Sequence, residues 1–174
     1  VAWQDDTPPA FALGDTGENI RGRFYPADFP SSPASDPLFL NVGMEGDQEE
    51  PAVAAVPGGW LVGWQGPRQF SPAIPLILGR ALDSTGNGTV EFEASTSNTV
   101  VRRAHVALAA NGQGDAVVVW EAEEAAGETR RDILARRIVD GVPTSSEEPV
   151  TLSVARDDPE PSVALAQRGV FVTV

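Results

Sequence analysis

Cysteine is absent from the 174 residues, which excludes disulfides, thiolate metal sites and a cysteine nucleophile together. That absence leaves the compartment open, because a β protein with a large enough core is stable outside the cell without disulfides. Histidine occurs once, at His105. A lone imidazole cannot build a histidine-based metal site, and a Ser-His-Asp arrangement would need a nucleophile that no local motif marks. The chain has no P-loop, no Gly-x-Ser-x-Gly, no zinc spacing and no dinucleotide fingerprint. No apolar run approaches the roughly 18 to 20 residues of a membrane helix. Positive charge is scarce, with 12 Lys plus Arg against 25 Asp plus Glu and a net charge of −13. A field of that sign repels phosphate backbones and anionic lipid surfaces, so nucleic acid and membrane headgroups are not expected partners.

What is present is punctuation. Seventeen Gly and 15 Pro interrupt short Val, Ala, Leu and Ile runs too often for long helices, which favours many short strands. The acids sit in small groups, Glu49-Glu50, Glu121 with Glu123-Glu124, Glu147-Glu148 and Asp157-Asp158 with Glu160. Beside strand ends these read as a solvated acidic surface. The chain opens at Val1 without a charged-then-apolar leader, the expected appearance of a processed protein or of part of a longer one.

Laid on itself, the sequence repeats. Trp-Gln or Trp-Glu recurs at Trp3-Gln4, Trp64-Gln65 and Trp120-Glu121, with separations of 61 and 56. An Ile-x-(Gly/Ala)-Arg motif recurs at Ile20 to Arg23, Ile77 to Arg80 and Ile133 to Arg136, with separations of 57 and 56. A short strand recurs at Pro51-Ala52-Val53-Ala54, Ala104-His105-Val106-Ala107 and Pro161-Ser162-Val163-Ala164. A fourth landmark follows each arginine: Leu38-Phe39-Leu40, Val90-Glu91-Phe92 and Val150-Thr151-Leu152. Each has strand chemistry. Pro57-Gly58-Gly59 and Asn111 to Asp115 suit hairpins between first and second strands, and Asp83 to Gly88 and Asp140-Gly141 suit turns between third and fourth. The unit is a four-stranded antiparallel meander of about 56 residues.

In the second strand, Trp60, Val62 and Trp64 share one face, as do Ala116, Val118 and Trp120, while Leu61 and Gly63 or Val117 and Val119 occupy the other. Both faces are apolar, so each sheet is covered on both sides. Stacked propeller blades have that property. The expected fold is therefore all-β, one β-propeller-type repeat region over 1–174, with blade units at about 1–47 completed by 159–174, 48–100 and 101–158. The chain starts and stops within second strands, so its ends would complete a unit if joined head to tail. Propellers use about 4 to 8 blades. Three would leave apolar faces open, which predicts further blades from the same polypeptide or another subunit.

The pattern of Gln-Glu-Glu-Pro-Ala-Val-Ala (48 to 54), then Gly59-Trp60-Leu61-Val62-Gly63-Trp64-Gln65, then Asp132-Ile133-Leu134-Ala135-Arg136-Arg137-Ile138 resembles the degenerate propeller-like repeats of large secreted and cell-surface bacterial proteins. The resemblance spans essentially the whole chain. The segment from Thr7 to Asn19 departs in being longer, and Gly66 to Pro75 lacks the acidic loop that follows Trp120. The resemblance implies a scaffold with varied binding roles, extracellular, cell-surface or periplasmic, and no activity of its own. A non-catalytic module for protein or glycan contacts follows. The alternative is part of a propeller-fold, sialidase-like hydrolase whose catalytic residues lie outside this segment.

Individual residues sort accordingly. Trp3, Trp64 and Trp120 recur in register and are expected between blades. Arg23, Arg80 and Arg136 invite comparison with the arginines that sialidases gather around a carboxylate, but the Ser-x-Asp-x-Gly-x-x-Trp pattern is missing. Stems packed on strand neighbours, with heads paired to repeat acids, are expected instead. Trp60 has no Trp counterpart and is the candidate aromatic platform for a glycan. Asp83 and Asn87, in an oxygen-rich turn, are the candidate calcium ligands, and Gly14 to Asn19 is a second such turn. Neither has the spacing of a dedicated calcium loop, so no cofactor is required. His105 is expected to be structural.

Overall fold

The computed structural model describes residues 1–6, 17–25, 32–33, 35–43, 46–68, 71–96, 100, 102–123, 131–150, 160–167 and 171–173. Among them every regular element is a strand and every pairing is antiparallel. The first sheet joins β1 (Ala2–Asp5), β2 (Asn19–Gly22) and β3 (Leu38–Phe39) in chain order. The second is the meander β4 (Glu49–Val56), β5 (Gly59–Arg68), β6 (Ser71–Asp83) and β7 (Phe92–Glu93). The third runs β8 (Arg102–Ala110), β9 (Asp115–Glu123) and β10 (Arg131–Val139). Two short pieces, β11 (Val142–Pro143) and β12 (Glu148–Pro149), pair with β10. A two-stranded fourth sheet pairs β13 (Val163–Leu165) with β14 (Phe171–Thr173).

The registers align the sheets residue by residue. Trp64 lies opposite Leu78, Trp120 opposite Leu134, and Trp3 opposite Arg21. Ala94, Val150 and Leu40 each donate their N–H to the isoleucine of their unit, Ile77, Ile133 and Ile20. The fourth strands are shorter than their landmarks suggest. Val90 is exposed and outside β7, and β11 and β12 precede Val150. Thr151, Leu152 and the segments 7–16 and 151–159 lie outside the described residues.

Strand alternation sends odd and even residues to opposite faces, and the sheets use both. Even residues Val62, Trp64, Leu78 and Leu82 of the second sheet pack against Ile20 and Leu40 of the first. Its odd residues Leu61 and Ile77, with Ala94, pack against Ala116, Val118, Trp120 and Ile138 of the third. Val117, Val119, Ile133 and Ala135 form a further layer with Val163 of the fourth. Trp64 and Trp120 are both fully buried in these layers. The result is a face-to-face stack of sheets, with β4 beside β8 and β8 beside β13. The described residues form no closed barrel or ring.

Candidate functional site

The groups that recur in the sequence meet at the seams between sheets. Arg80 donates from Nε to Thr89 O in its own sheet (2.8 Å) and from Nη1 to Leu40 O in the preceding one (3.1 Å). Arg136 repeats this, from Nε to Ser145 O (2.8 Å) and from Nη1 to Glu93 O and Ala94 O (3.2 and 2.9 Å). The expectation that these heads pair with repeat acids is corrected: their acceptors are main-chain carbonyls. A planar guanidinium can serve two sheets at once because its donors point in fixed, divergent directions. Gly88 makes room, since a Cβ there would lie 2.1 Å from Arg80 Nε.

The acids perform the complementary task. Glu91 accepts from the N–H groups of Val42 and Gly43, and Glu147 accepts from the N–H of Thr96. The second and third sheets thus each clasp the segment after the preceding sheet's outermost strand, arginine on carbonyls and glutamate on amides two residues further along. Both pairs share one spacing, Arg80 with Glu91 and Arg136 with Glu147, and that spacing was the signal available in the sequence. Arg23 differs. Its buried Nε meets no acceptor among the described residues.

At the other end of each first strand a β-bulge interrupts the pairing, between Glu49 and Ala52 and between Ala104 and Ala107. Glu50 (φ 52°) and His105 (φ 55°) sit there in the left-handed region, a conformation that costs a non-glycine residue about 1 kcal/mol or more. Partners from the adjacent sheet hold both. Gln4 Oε1 accepts from Glu50 N–H at 3.2 Å, and the Glu50 carboxylate accepts from His105 N–H. The imidazole Nδ1 lies 3.6 Å from Glu50 Oε1, and Nε2 lies 3.9 Å from Glu121 Oε2. Glu121, buried, is ion-paired through Oε1 to Arg102 at 3.0 Å and Arg131 at 3.2 Å. The cluster neutralises itself and joins two sheets.

The tryptophans differ in their polar ends. Trp64 Nε1 donates to Gln48 Oε1 at 2.8 Å in a buried setting. Arg103 occupies the place of Gln48 in the next unit, two residues before the bulge residue, and offers no acceptor. Trp120 Nε1 accordingly has no hydrogen-bond partner among the described residues. Arg103 is itself buried and donates to Pro75 O at 3.1 Å, with its pKa lowered chiefly by desolvation.

The turns gather at one rim. Asp83 Oδ1 accepts from Thr85 N–H, the Thr85 hydroxyl and Asn87 N–H at 2.8, 2.7 and 3.0 Å, and Oδ2 accepts from Asn87 Nδ2 at 3.2 Å. These bonds, the Thr85 hydroxyl first, hold the carboxyl at about 2 against an ordinary 3.8. The carboxylate proposed for calcium is therefore engaged by its own turn, as an Asx turn requires. Gly86 (φ 91°) brings this turn against Leu38 of β3 and Phe24, two residues past β2. A cavity of about 470 Å³ opens between this turn, Pro57-Gly58 and Asp140-Gly141, floored by Leu61, Ala81 and Leu82.

Trp60 lies at the same rim, one seam earlier. Its ring sits 6.2 Å from that of Phe24, tilted by 40°. With Tyr25 and Val53 they line a recess of about 190 Å³. Trp60 and Tyr25 are 36% and 37% exposed. Sequence reasoning found Trp60 but missed its aromatic neighbours, because Phe24 and Tyr25 come from the segment after β2, distant in sequence. Among the described residues no group of three or more His, Asp or Glu side chains could hold a metal, and no helix is long and apolar enough to cross a membrane. Comparison with protein-family models, curated proteins and solved structures finds no match for this chain.

Proposed function

We propose that this chain is a run of β-propeller-type blades from a larger extracytoplasmic bacterial protein, a non-catalytic scaffold or binding module for protein or glycan contacts. The reading rests on one contrast. Polar groups that recur from unit to unit are spent on holding sheets together, whereas Trp60, Phe24 and Tyr25, which do not recur, collect with partial exposure at one rim recess. Aromatic faces at a rim suit the apolar faces of sugar rings, and a repeated core leaves its rim turns free to vary. The sialidase-like alternative places its catalytic residues outside this segment; within it, Arg80 and Arg136 are committed to carbonyls at separate seams.

A glycan array, followed by titration calorimetry on any hit, tests the recess. Binding that falls at least tenfold in Trp60→Ala, with an unchanged far-ultraviolet spectrum, is the expected result. Unchanged binding in the mutant would overturn the platform, and no glycan binding at all would leave protein contacts as the module's role.

A further inference from the structure

From the rim of the second seam we infer that the cavity between the second and third sheets takes a polypeptide partner, an aromatic side chain filling it and an adjacent arginine or lysine meeting the carboxylates at its mouth. The inference rests on the binding-module reading above and names a partner for a site apart from the Trp60 recess. In the first seam the rim end is filled from within, by Phe24 and Trp60 with ring centroids 6.2 Å apart. Counted from the arginine and tryptophan landmarks, Ala81 stands at the place of Phe24 in the second seam, and Ala116 at the place of Trp60. Both belong to the layer between the second and third sheets. Two ring-bearing side chains are thus exchanged for two methyl groups, and a cavity of about 470 Å³ lies at that rim. Its lining by Val56, Leu61, Ala81 and Leu82 is apolar, and burial of a ring there is favourable.

The mouth supplies the complementary charge. Asp83 and Asp140 line it, both exposed. Asp83 is held ionised by the bonds of its own turn. The Asp140 carboxylate accepts no hydrogen bond and joins no ion pair among the described residues, and its Oδ1 lies 2.5 Å from where a Cβ would stand on Gly114. The arginines of the adjoining strands are spent elsewhere, Arg80 on the carbonyls of Thr89 and Leu40 and Arg137 on Asp115 at 2.7 Å. A cation brought to the mouth therefore meets carboxylates without a competing guanidinium, and the net charge of −13 steers it there. An acidic partner would be repelled by the same groups. Apolar floor and anionic mouth together select a base beside an aromatic residue.

Nitrogen-edited NMR titration of the whole chain with the peptide acetyl-Gly-Phe-Arg-Gly-amide tests this. Shifts are expected at the Gly58, Gly114 and Gly141 amides, saturating by about 5 mM. Glutamine in place of the peptide's arginine should weaken binding about threefold, the effect of an exposed ion pair, and alanine in place of its phenylalanine about tenfold or more. Asp140→Asn should weaken the arginine peptide by the same factor of about three and leave the glutamine peptide unchanged. Asp140 sits in the left-handed region (φ 49°), where Asn is at home, so this variant keeps its turn and carries the test whether or not Ala81→Phe folds. Folded Ala81→Phe, which restores the ring of the first seam, should not bind the peptide, and Trp60→Ala should bind it as wild type does. Shifts confined to other residues, unweakened binding in Asp140→Asn, loss of binding in Trp60→Ala, or no shift at about 5 mM peptide would overturn the site. The absence of a shift leaves the Trp60 recess to its own glycan titration, so the two readings fail separately.

Discussion

Three arginines share one motif but should differ sharply in what they contribute to stability. Substituting each by Met keeps most of the apolar stem and removes the guanidinium. At Arg136 this deletes three bonds, two of them to carbonyls of the preceding sheet. A hydrogen bond to a charged group contributes roughly 1.5–3 kcal/mol, and bonds sharing one head are not additive. About 3 kcal/mol is the expected loss. Arg80 makes two such bonds, and about 2 kcal/mol should be lost there. Arg23, with no acceptor for Nε among the described residues, should lose less than about 0.5 kcal/mol. For a chain of this length 1 kcal/mol moves Tm by about 2–4 °C, so Arg136→Met should melt about 6–12 °C early. Urea titration checks the order, and a constant slope with denaturant confirms that the same surface unfolds in each variant. Equal losses at all three positions would refute the clasp, because stem packing alone would then account for them.

Gln48→Leu should cost about 1–3 kcal/mol, since it orphans a buried indole N–H at Trp64; a melt within 1 °C of wild type, on the order of 0.5 kcal/mol, would refute that. The Asp83 carboxyl should titrate near 2 in the folded protein by carbon-detected NMR. The sign follows from linkage: the unfolded chain takes the proton first as pH falls, so the turn's contribution is whole above about pH 4 and is lost as pH drops through about 2. In Asp83→Ala that part of the acid dependence should vanish. Glu49 behaves oppositely, its pKa raised by desolvation and then by Asp47, Glu18 and Glu50. Glu49→Gln should therefore stabilise the protein at neutral pH, with the gain shrinking as acid protonates the wild-type carboxyl; a loss at neutral pH would mean that the bond from Gln65 needs the charge.

The sheets were legible because their cause is periodic. Trp64 and Trp120 announce an apolar layer, and the alternation around them shows that both faces are covered. The bulges were not legible. Left-handed residues are signalled by Gly or Asn, and here the positions hold Glu50 and His105, whose conformation is imposed by ladders on either side and by partners from the next sheet. The arginine contacts were half legible. Recurrence marked Arg80 and Arg136 as structural, but a carbonyl acceptor has no side chain to read, so acids were the natural guess. One compositional fact points the right way: all 12 basic residues are arginine, the side chain whose rigid fork can bridge two backbones where an ammonium would serve one.

The seams also have a direction. Arg80 and Arg136 reach back to carbonyls of the preceding sheet, and Arg103 does the same to Pro75 O. The bulge amides of Glu50 and His105 donate back to Gln4 and Glu50. Glu91 and Glu147 instead receive from the sheet behind them, and they do so at the segment the arginines already hold. The second and third sheets thus each carry arginine donors and an acidic clamp toward the preceding sheet, which answers with backbone groups and, at the bulge, with the side chain of Gln4 or Glu50. A purely apolar layer would let two sheets meet in either order or slide by a strand, because dispersion and burial have no direction. Backbone groups left unpaired in a buried seam cost about 1–3 kcal/mol each, so a reversed or slipped sheet would leave the segments Leu40–Val42 and Ala94–Thr96 without partners. Order in the stack is set by these polar seams, and strength by the tryptophan layers between them.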